Sequence, residues 1–481
     1  MNISIQDKIK NDKILSVISK NFPDLEIYVV GGTVRDFILG KNSYDRDIIV
    51  NTQDVKKFAE NVQEIIPSTL ITLDETNNIY RLILKEDYNK HNPYMIDITS
   101  PEGESVERDL MRRDLTINAI AANIHTGELI DLFGGISDIK NKMLHHIEEI
   151  NFVDDPLRLL RVYRFQGTLG FDIGADTIQL ICKYSDLINK PAKERVLYEL
   201  MKLFDGDCSA KALLNMNKTW LLEEIFPVVK ELKQVPPNSH HHLDLLNHSI
   251  ETVRQIEYIY ENSDEKVKEH MNRIDFGGFR RLAHLKLAGF LHDIGKFSTW
   301  TIEKDTGRHR FIKHDDVGSK MVKPLLKSLT CSNKQIDYVS QMIKNHIYPS
   351  SMMQEEGVNE KAMMRYFRKL EENVIDNIIL AKADRLSARG PVITDEMVEN
   401  NIKNLDKLLN FYFSSQEKLT PLPKLLDGNE ISSITGLKGP ALGKIIKEIQ
   451  ELQAEGSIVT KEDALSYIKN RKDNSGNKKS E

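Results

Sequence analysis

Apolar positions in the first 150 residues favour short strands set between helices. Four segments have the continuous or alternating apolar pattern of strands: 26–30, 46–50, 79–85 and 94–99. Residues 1–25 and the stretch from Thr33 to Leu39 have helical spacing instead. The pattern predicts a small mixed α/β sheet that ends near residue 145.

Beyond about residue 150 the strand pattern largely disappears. Pro156 to Leu169 and Ala192 to Phe204 carry apolar residues at helical spacing, so the rest of the chain is predicted to be mainly helical. VPPNSHHH at 235–242 is rich in turn residues and marks a predicted domain boundary, with its histidines in a loop. The polar tail after Ile468 is predicted to be unstructured. The expected fold class is therefore α+β.

The composition and net charge of the chain exclude several classes of protein function. Hydrophobic residues make up 40% of the 481 residues and charged residues 29%, the balance of a globular protein with several domains. A net charge of −6 argues against non-specific coating of nucleic acid, which depends on phosphate neutralisation. Three widely spaced cysteines form no CxxC pair, and no run of 18 apolar residues occurs. We expect a cytoplasmic protein with no membrane partner.

A pair of carboxylates follows a glycine turn in GGTVRDFILGKNSYDRDIIV. Asp45 and Asp47 lie two residues apart at the start of a predicted strand, so their side chains share one face and offer hard oxygen ligands to Mg²⁺. Gly31-Gly32 allows close backbone approach to a triphosphate, and the next helix adds its N-terminus and Arg35. A lone DxD is usually a surface pair, but this order of strand, glycines, helix and carboxylates indicates a site. Asp97 is either a third carboxylate or a surface residue of a strand.

Four charged residues recur every third position in DDPLRLLRVYRF: Asp155, Arg158, Arg161 and Arg164. They can form a solvated helix face with an ion pair to Asp155. They can also read bases, because a carboxylate accepts and a guanidinium donates a hydrogen bond. Cytosine and adenine each pair an amino donor with a ring-nitrogen acceptor, whereas uracil and guanine do not. Asp155 and Arg158 can therefore select C and A without a template.

A third group of residues has metal-binding character. His248, His292-Asp293 and Asp384 resemble the H…HD…D pattern of the HD phosphohydrolase superfamily. Imidazole and carboxylate ligands suit Mn²⁺, Ni²⁺ or Zn²⁺, any of which can activate water. His314 and His346 can supply ligands for a second ion. A bound metal can also be structural, so hydrolysis is a separate hypothesis.

Five motifs in order extend the resemblance to the first 205 residues. GGTVRDFILG with DRD, RRDLTINAIA, DLFGGISDI, DDPLRLLRVYRF and ERVLYEL resemble those of class II tRNA nucleotidyltransferases, the CCA-adding enzymes and bacterial poly(A) polymerases. The resemblance implies that Asp45 and Asp47 bind metal and that Gly32, Arg35 and Arg113 hold the incoming nucleotide. It assigns base selection to Asp155 and Arg158, with Arg161 and Arg164 completing the nucleotide pocket.

The resemblance also implies a domain layout and a reaction. We expect a polymerase-β-like nucleotidyltransferase head, a helical neck that binds base and RNA, an HD metal-binding domain and a helical RNA-binding tail, at 1–145, 146–235, 236–390 and 391–481. The tail carries Lys438, Lys444 and Lys447, which form either an RNA phosphate contact or ordinary surface charge. The expected reaction adds CCA to tRNA from CTP and ATP and releases pyrophosphate.

Four other functions are alternatives to CCA addition. Only 14 residues separate Asp97 from Arg112, fewer than in many CCA-adding enzymes, where this loop is linked to the switch from C to A addition. A CC-adding specialist is therefore an alternative, and a poly(A) polymerase is another. A protein of a different class, an HD phosphohydrolase acting on RNA ends, would use the head only to dock RNA. A non-catalytic RNA-binding module would not need the carboxylate pair.

Overall fold

The structure is a computed structural model that describes residues 5–41, 44–85, 94–101, 103, 105–354, 358–416, 424–454 and 457–476. It divides into two compact units. The first contains the chain up to residue 235 together with 274–287 and 321–337, and the second contains 236–273, 288–320 and 338–481. The mixed sheet and the mainly helical remainder confirm the predicted α+β class.

A seven-stranded mixed sheet forms the base of the first unit. Its strands are β1 Glu26–Val30, β2 Asp45–Asn51, β3 Ser68–Asp74, β4 Ile79–Leu84, β5 Met95–Thr99, β6 Ala121–Asn123 and β7 Leu129–Ile130. Their order in the sheet is β3-β4-β5-β2-β1-β6-β7, and only β2 and β5 pair in parallel. The four predicted strands correspond to β1, β2, β4 and β5. The prediction missed β3, because it is an edge strand with mostly exposed positions, and it missed the very short β6 and β7.

Helices account for most of the first unit outside the sheet. Those up to residue 235 are α1 Ile5–Lys10, α2 Lys13–Asn21, α3 Gly32–Leu39, α4 Val55–Ile65, α5 Val106–Met111, α6 Gly135–Asn141, α7 Ile150–Asp154, α8 Leu157–Leu169, α9 Ala175–Tyr184, α10 Lys193–Asp205, α11 Ser209–Lys218, α12 Leu221–Ile225 and α13 Val229–Leu232. Short 3-10 helices span Thr116–Asn118 and Ser185–Asn189, and strands β8 Met143–Leu144 and β9 Asp172–Ile173 pair in parallel. The two helices predicted at 156–169 and 192–204 correspond to α8 and α10.

From residue 245 onward the regular elements of the described residues are helices and two small hairpins. The helices are α14 Leu245–Glu261, α15 Glu265–Asn272, α16 Arg281–Leu291, α17 Lys296–Thr299, α18 His314–Ser328, α19 Asn333–Asn345, α20 Tyr348–Gln354, α21 Glu360–Leu370, α22 Val374–Ser387, α23 Asp395–Ser414, α24 Gly428–Thr435, α25 Gly439–Ala454 and α26 Lys461–Gly476. The hairpins pair β10 Ile274–Phe276 with β11 Phe279–Arg280 and β12 Trp300–Ile302 with β13 His309–Phe311. None of the helices in the described ranges has both the length and the apolar character needed to cross a membrane.

The last helices have a small apolar core of their own. Leu426, Ile431, Ile445, Ile449 and Ile468 are among its buried residues. Asp427 and Glu430 form a reciprocal capping box that fixes the start of α24. The prediction of an unstructured tail after Ile468 is wrong as far as Gly476, because α26 continues to that residue. Its polar residues gave no apolar periodicity from which a helix could be predicted.

The interior of the sheet fixes the position of the DxD strand. Ile48, Ile49 and Val50 of β2 are buried, so the polar residues of this strand that reach open space lie at its two ends, with the aspartates at the N-terminal end. Arg46, between the two aspartates, points to the opposite face and is buried in an ion pair with Asp12 at 2.6 Å. The alternation of the strand therefore places Asp45 and Asp47 together on one side.

Candidate functional site

A cavity of about 750 Å³ in the first unit collects most of the predicted site residues. It is lined by these predicted residues: Gly32, Arg35, Asp45, Asp47, Arg113, Asp155, Arg158, Arg161 and Arg164. Residues separated by more than a hundred positions in the chain therefore face one space. Of the remaining predictions for this site, Gly31 lies behind the lining and Asp97 is on the neighbouring strand β5.

The carboxylate pair opens onto this cavity. Asp45 is exposed, whereas Asp47 is partly buried, and Asp47 lies opposite Asp97 in the parallel pairing of β2 with β5. Burial raises the pKa of Asp47 to about 6, opposed by Arg113 and reinforced by Asp97 and Asp45. Burial and Asp97 also raise the pKa of Asp45. Carboxylates that repel each other in this way form a donor set of hard oxygens that fits Mg²⁺.

Asp97 is held by a cation from the next strand. Arg81 of β4 donates from Nε to Oδ1 and from Nη2 to Oδ2 of Asp97, both at 2.7 Å. This bidentate pair neutralises the third carboxylate and fixes its orientation. Asp97 therefore acts on Asp45 and Asp47 as a fixed neighbouring charge whose two oxygens are already engaged.

The glycine turn between β1 and α3 brings backbone close to the carboxylates. Gly31 has φ +65°, and a Cβ atom there would lie 2.6 Å from Arg113 Nη1 and 3.5 Å from Asp47 Oδ2. The backbone conformation thus favours glycine, and a side chain here would also displace the Arg113 guanidinium from its place beside Asp47. Thr33 at the start of α3 donates from Oγ1 to the Asp45 carbonyl and accepts from the Asp47 amide, at 3.1 and 3.2 Å. These bonds tie the helix N-terminus to the DxD strand.

Two cationic side chains flank this turn. Arg35 Nη1 donates to Asn118 Oδ1 at 2.7 Å, and Arg113 donates from Nη2 to Asp109 Oδ2 at 2.9 Å. Asn118 in turn donates to Asp114 at 2.9 Å, so one amide links Arg35 to a buried carboxylate. The two guanidinium groups and the N-terminus of α3 provide positive charge and donors beside the carboxylates.

The arginines of α8 are anchored by carboxylates distant in sequence. Arg161 pairs with Asp114 at 2.7 Å and with Glu199 at 3.1 Å, and Arg164 donates to Glu199 at 3.0 Å. Burial alone would raise the pKa of Asp114, but Arg161 and Asn118 hold it well below its usual range. Burial, together with Arg161, lowers the pKa of Arg164 to about 10. These arginines form a buried charge network, and a solvated face of α8 is excluded for them.

Asp155 and Arg158 line the same cavity. Their hydrogen bonds go to other partners, whereas a solvated helix face would pair Asp155 with the arginine one turn away. Asp155 Oδ2 accepts from Arg195 Nη2 at 2.9 Å, and Arg158 Nη1 donates to the Asn151 carbonyl at 3.0 Å. Each side chain is thus oriented by a different partner. One acceptor and one donor remain available to the cavity, as reading a C or A edge requires.

A second cluster lies in the other unit and contains the HD residues. His248 Nε2 lies 3.2 Å from Asp384 Oδ1, 3.3 Å from Asp293 Oδ2 and 3.3 Å from His292 Nε2. His292 Nε2 is 3.1 Å from the same Asp293 oxygen. All four predicted HD residues therefore converge on one point, and His241 adds a further ligand atom to the set.

The outer ring nitrogens in this cluster are occupied by hydrogen bonds. Nδ1 of His292 contacts the Gly289 carbonyl at 2.8 Å, and Nδ1 of His346 contacts the Ile343 carbonyl at 2.7 Å. A carbonyl accepts only, so each Nδ1 carries a proton, and in the neutral ring each Nε2 would be the nitrogen that offers a lone pair to a metal ion. Burial would lower the pKa of His292, but Asp293 and Asp384 raise it to about 10. The buried carboxylates thus require a positive charge, which a divalent cation fits.

Asp293 connects this cluster to the two histidines predicted for a second ion. Its Oδ1 lies 3.2 Å from His314 Nε2 and 3.7 Å from His346 Nε2, whereas its Oδ2 faces His248 and His292. Lys296 also contacts Oδ2 at 2.6 Å. Asp293 would therefore be available as a ligand both with His248 and His292 and with His314 and His346.

Sequence reasoning missed several residues of both sites. Glu199 and Asn118 stand inside quoted motifs, but their roles depend on partners 35 and 83 positions away. His241 was predicted to lie in a loop, and it does, yet the loop brings it against His248. The run of three histidines shortly before His248 was the available signal. Of the tail lysines, Lys438 and Lys444 are exposed, and the side chain of Lys447 lies outside the described residues.

Three family models match successive parts of the chain. They are described as the poly A polymerase head domain at 27–145, the probable RNA and SrmB-binding site of polymerase A at 170–233, and the HD domain at 245–389. The chain is 28% identical to the CC-adding tRNA nucleotidyltransferase of Thermus thermophilus, over 92% of this chain and 93% of that protein. It is also 28% identical to the A-adding enzyme of Deinococcus radiodurans, over 92% and 94%.

Solved structures share the fold. The CCA-adding enzyme of Thermotoga maritima, determined in complex with tRNA, superposes with a TM-score of 0.55 at 21% identity, over 95% of this chain and 93% of that one. The glycine turn, the DxD strand and the mixed sheet define a nucleotidyltransferase head, here on a chain that also carries an HD domain. The matches to the head, RNA-binding and HD models, together with these relatives and structures, support a class II tRNA nucleotidyltransferase with an HD domain.

Proposed function

We propose that this protein adds the 3′-terminal CCA to tRNA in the cytoplasm, using CTP and ATP with Mg²⁺ and releasing pyrophosphate. One observation carries the proposal. Asp45 and Asp47 face the same cavity as Asp155 and Arg158, so a carboxylate pair suited to metal and a donor–acceptor pair suited to a base edge are available to one nucleotide. The CC-adding and A-adding relatives match over nearly their whole length, which supports the acceptor and the reaction.

Different residues around the cavity would bind the metal ion and the triphosphate. Asp45 and Asp47 would hold Mg²⁺, which when bound activates the RNA 3′ hydroxyl and stabilises the leaving pyrophosphate. Gly31 and Gly32 admit the triphosphate, and Arg35 and Arg113 offset its charge near the N-terminus of α3. In-line attack on the α-phosphate then requires positioning and charge stabilisation rather than a covalent step on the protein.

Pyrophosphate release tests this reaction. Incubation with tRNA that lacks its last three nucleotides, CTP, ATP and Mg²⁺ should release up to three pyrophosphates per tRNA and then stop. Continued release with ATP would identify a poly(A) polymerase instead. An absence of release with every nucleotide would refute the proposal.

Base selection gives a prediction for Arg158. Replacing Arg158 with alanine removes the donor while leaving the carboxylates untouched, so the preference for CTP and ATP over UTP should fall by about 10- to 100-fold. The measurement is kcat/KM for each nucleotide with one tRNA acceptor. Arg254→Ala, at an exposed arginine of α14, is the matched control. Unchanged discrimination against UTP in Arg158→Ala would contradict the assignment.

A CC-adding specialist is the second candidate. The segment between Asp97 and Arg112 has 14 residues, and its second half is occupied by α5, which leaves little chain for a long loop. A protein of this kind would add two C residues and leave the terminal A to another enzyme. The relative from Thermus thermophilus, named as CC-adding, gives this candidate further weight.

We propose in addition that the HD cluster binds Mn²⁺, Ni²⁺ or Zn²⁺ through His248, His292, Asp293 and Asp384, with His314 and His346 serving a second ion. The ligand set is nitrogen-rich and buried, which suits these ions better than Mg²⁺. When bound, such ions supply an activated water that can hydrolyse phosphate groups at damaged RNA ends. Lys296 next to Asp293 would offset the charge of that phosphate.

Metal content tests the HD cluster directly. His248→Gln removes the nitrogen on which three of the contacts converge, so after dialysis the variant should retain much less transition metal than the unmodified protein. Elemental analysis by mass spectrometry provides the measurement. His125→Gln, at a histidine far from the cluster in sequence, should keep the normal content. Equal metal content in His248→Gln would exclude this ligand set.

A further inference from the structure

Helix α10 runs along the cavity from the base-reading end to the carboxylate end. Arg195, Tyr198 and Lys202 all line the cavity and recur at helical spacing on one face. Arg195 marks the first end, because it binds Asp155. Lys202 marks the second end, because it lies about 10 Å further along α10 and lines the same cavity as Asp45. Tyr198 therefore lies between the two ends.

Tyr198 is an unusual side chain for this cavity. It is 50% exposed, although the lining around it is mostly charged. Among the described residues that line the cavity, Phe165 is the other aromatic, and it is buried beneath the Arg164 guanidinium at 3.6 Å. The Tyr198 ring is thus the one aromatic surface that these lining residues present to a ligand.

Neighbouring side chains hold the Tyr198 ring in place. Phe279 of β11 packs against it with ring centroids 5.7 Å apart and the planes tilted by 58°. Lys202 Nζ lies over one face of the ring, 4.5 Å from its centroid. An ammonium against a half-exposed ring combines the two groups with which single-stranded nucleic acid is bound, an aromatic surface for a base and a cation for a phosphate.

We propose that Tyr198 is the stacking platform for the last base of the acceptor RNA and that Lys202 binds the adjoining phosphate. This inference rests on the proposed function and names the residues that receive its second substrate. The acceptor's last base changes after every addition, so its binding site must tolerate several bases. A ring face does this because every base has a π surface, whereas a fixed hydrogen-bond pattern does not.

The position of Tyr198 suits this role better than contact with the incoming base. The Asp155 and Arg158 side chains already offer polar groups to the incoming base at the far end of the cavity. Lys202 follows Tyr198 by one helical turn, about 6 Å along α10, and lines the same cavity as Asp45 and Asp47. A terminal nucleotide with its base on Tyr198 and its phosphate on Lys202 would therefore lie in the cavity that also contains the carboxylate pair.

A fluorescent acceptor tests the platform without requiring turnover. We would use tRNA that ends in 2-aminopurine, whose emission falls on stacking, and titrate it with the full-length protein. The unmodified protein and Tyr198→Phe should quench the probe, whereas Tyr198→Ala should not. In steady-state addition, Tyr198→Ala should raise the KM for tRNA by about 5- to 150-fold while the KM for CTP stays unchanged. Tyr258→Ala, at a 59% exposed tyrosine of α14, is the matched control.

Each contrary result has a distinct meaning. Quenching that persists in Tyr198→Ala, or a KM that rises for CTP and not for tRNA, would overturn the platform. The second of these would place the incoming base on Tyr198. If the unmodified protein adds nothing to any RNA, the proposed function fails instead. If the unmodified protein adds nucleotides and Tyr198→Ala shows the same quenching and the same KM for tRNA, the role of Tyr198 is overturned and the proposed function is kept.

Discussion

Replacement of Asp47 by alanine is expected to slow nucleotide addition by at least about a thousandfold, the equivalent of about 4 kcal/mol of transition-state stabilisation. Asp47 faces the cavity beside Asp45, and the oxygens of Asp97 are held by Arg81. Asp97 would have to weaken its bidentate ion pair with Arg81 to take over as a metal ligand. Single-turnover extension of labelled tRNA provides the measurement.

Two controls make the Asp47 result interpretable. Asp24→Ala removes an exposed carboxylate just before β1 and should leave the rate unchanged. Circular dichroism should show that Asp47→Ala keeps its fold, since Asp47 lies at a strand end outside the apolar core. A folded Asp47→Ala variant that extends tRNA at the normal rate would contradict the assignment of this site.

Glu199→Ala is the second substitution with a large expected effect, and it acts first on stability. The buried Glu199 carboxylate pairs with both Arg161 and Arg164, so its removal leaves the largely buried Arg164 guanidinium without the carboxylate to which it donates. Breaking one side of a buried ion pair costs about 3–5 kcal/mol. The free energy of unfolding, measured by urea titration, should fall by that amount.

A surface ion pair supplies the comparison for Glu199. Glu60 pairs with Lys57 on the exposed face of α4 at 3.9 Å, so Glu60→Ala should cost less than about 1 kcal/mol. Nucleotide binding should also weaken in Glu199→Ala, because the arginines that line the cavity lose their anchor. Equal stability losses in the two variants would show that the buried network contributes no more than a surface pair.

Local geometry explains which parts of the site were predictable from sequence. The DxD pair follows from strand alternation, since residues two apart share a face whatever the rest of the fold does. Gly31 follows from the turn that must connect β1 with α3, and its positive φ agrees with that reasoning. Strands β1, β2, β4 and β5 were predictable because their apolar residues meet a buried interior.

Partners distant in sequence explain what could not be predicted. The spacing of Arg161 and Arg164 fitted a solvated helix face as well as a binding face. The ion pairs with Glu199 and Asp114, which the spacing does not reveal, exclude the fully solvated face. The bidentate hold of Arg81 on Asp97 depends on the pairing of β4 with β5, which the sequence does not specify. In the HD cluster, helical spacing does not reveal that Asp293 has histidines on both of its oxygens.

Stepwise extension of defined acceptors tests the central claim most directly. Three tRNAs, ending before the first C, before the second C and before the terminal A, would each be incubated with one nucleotide at a time, and product length would be read on a sequencing gel. We predict addition of C to the first two and of A to the third, with UTP and GTP refused. Failure of all four nucleotides to extend any of the three tRNAs would contradict the account.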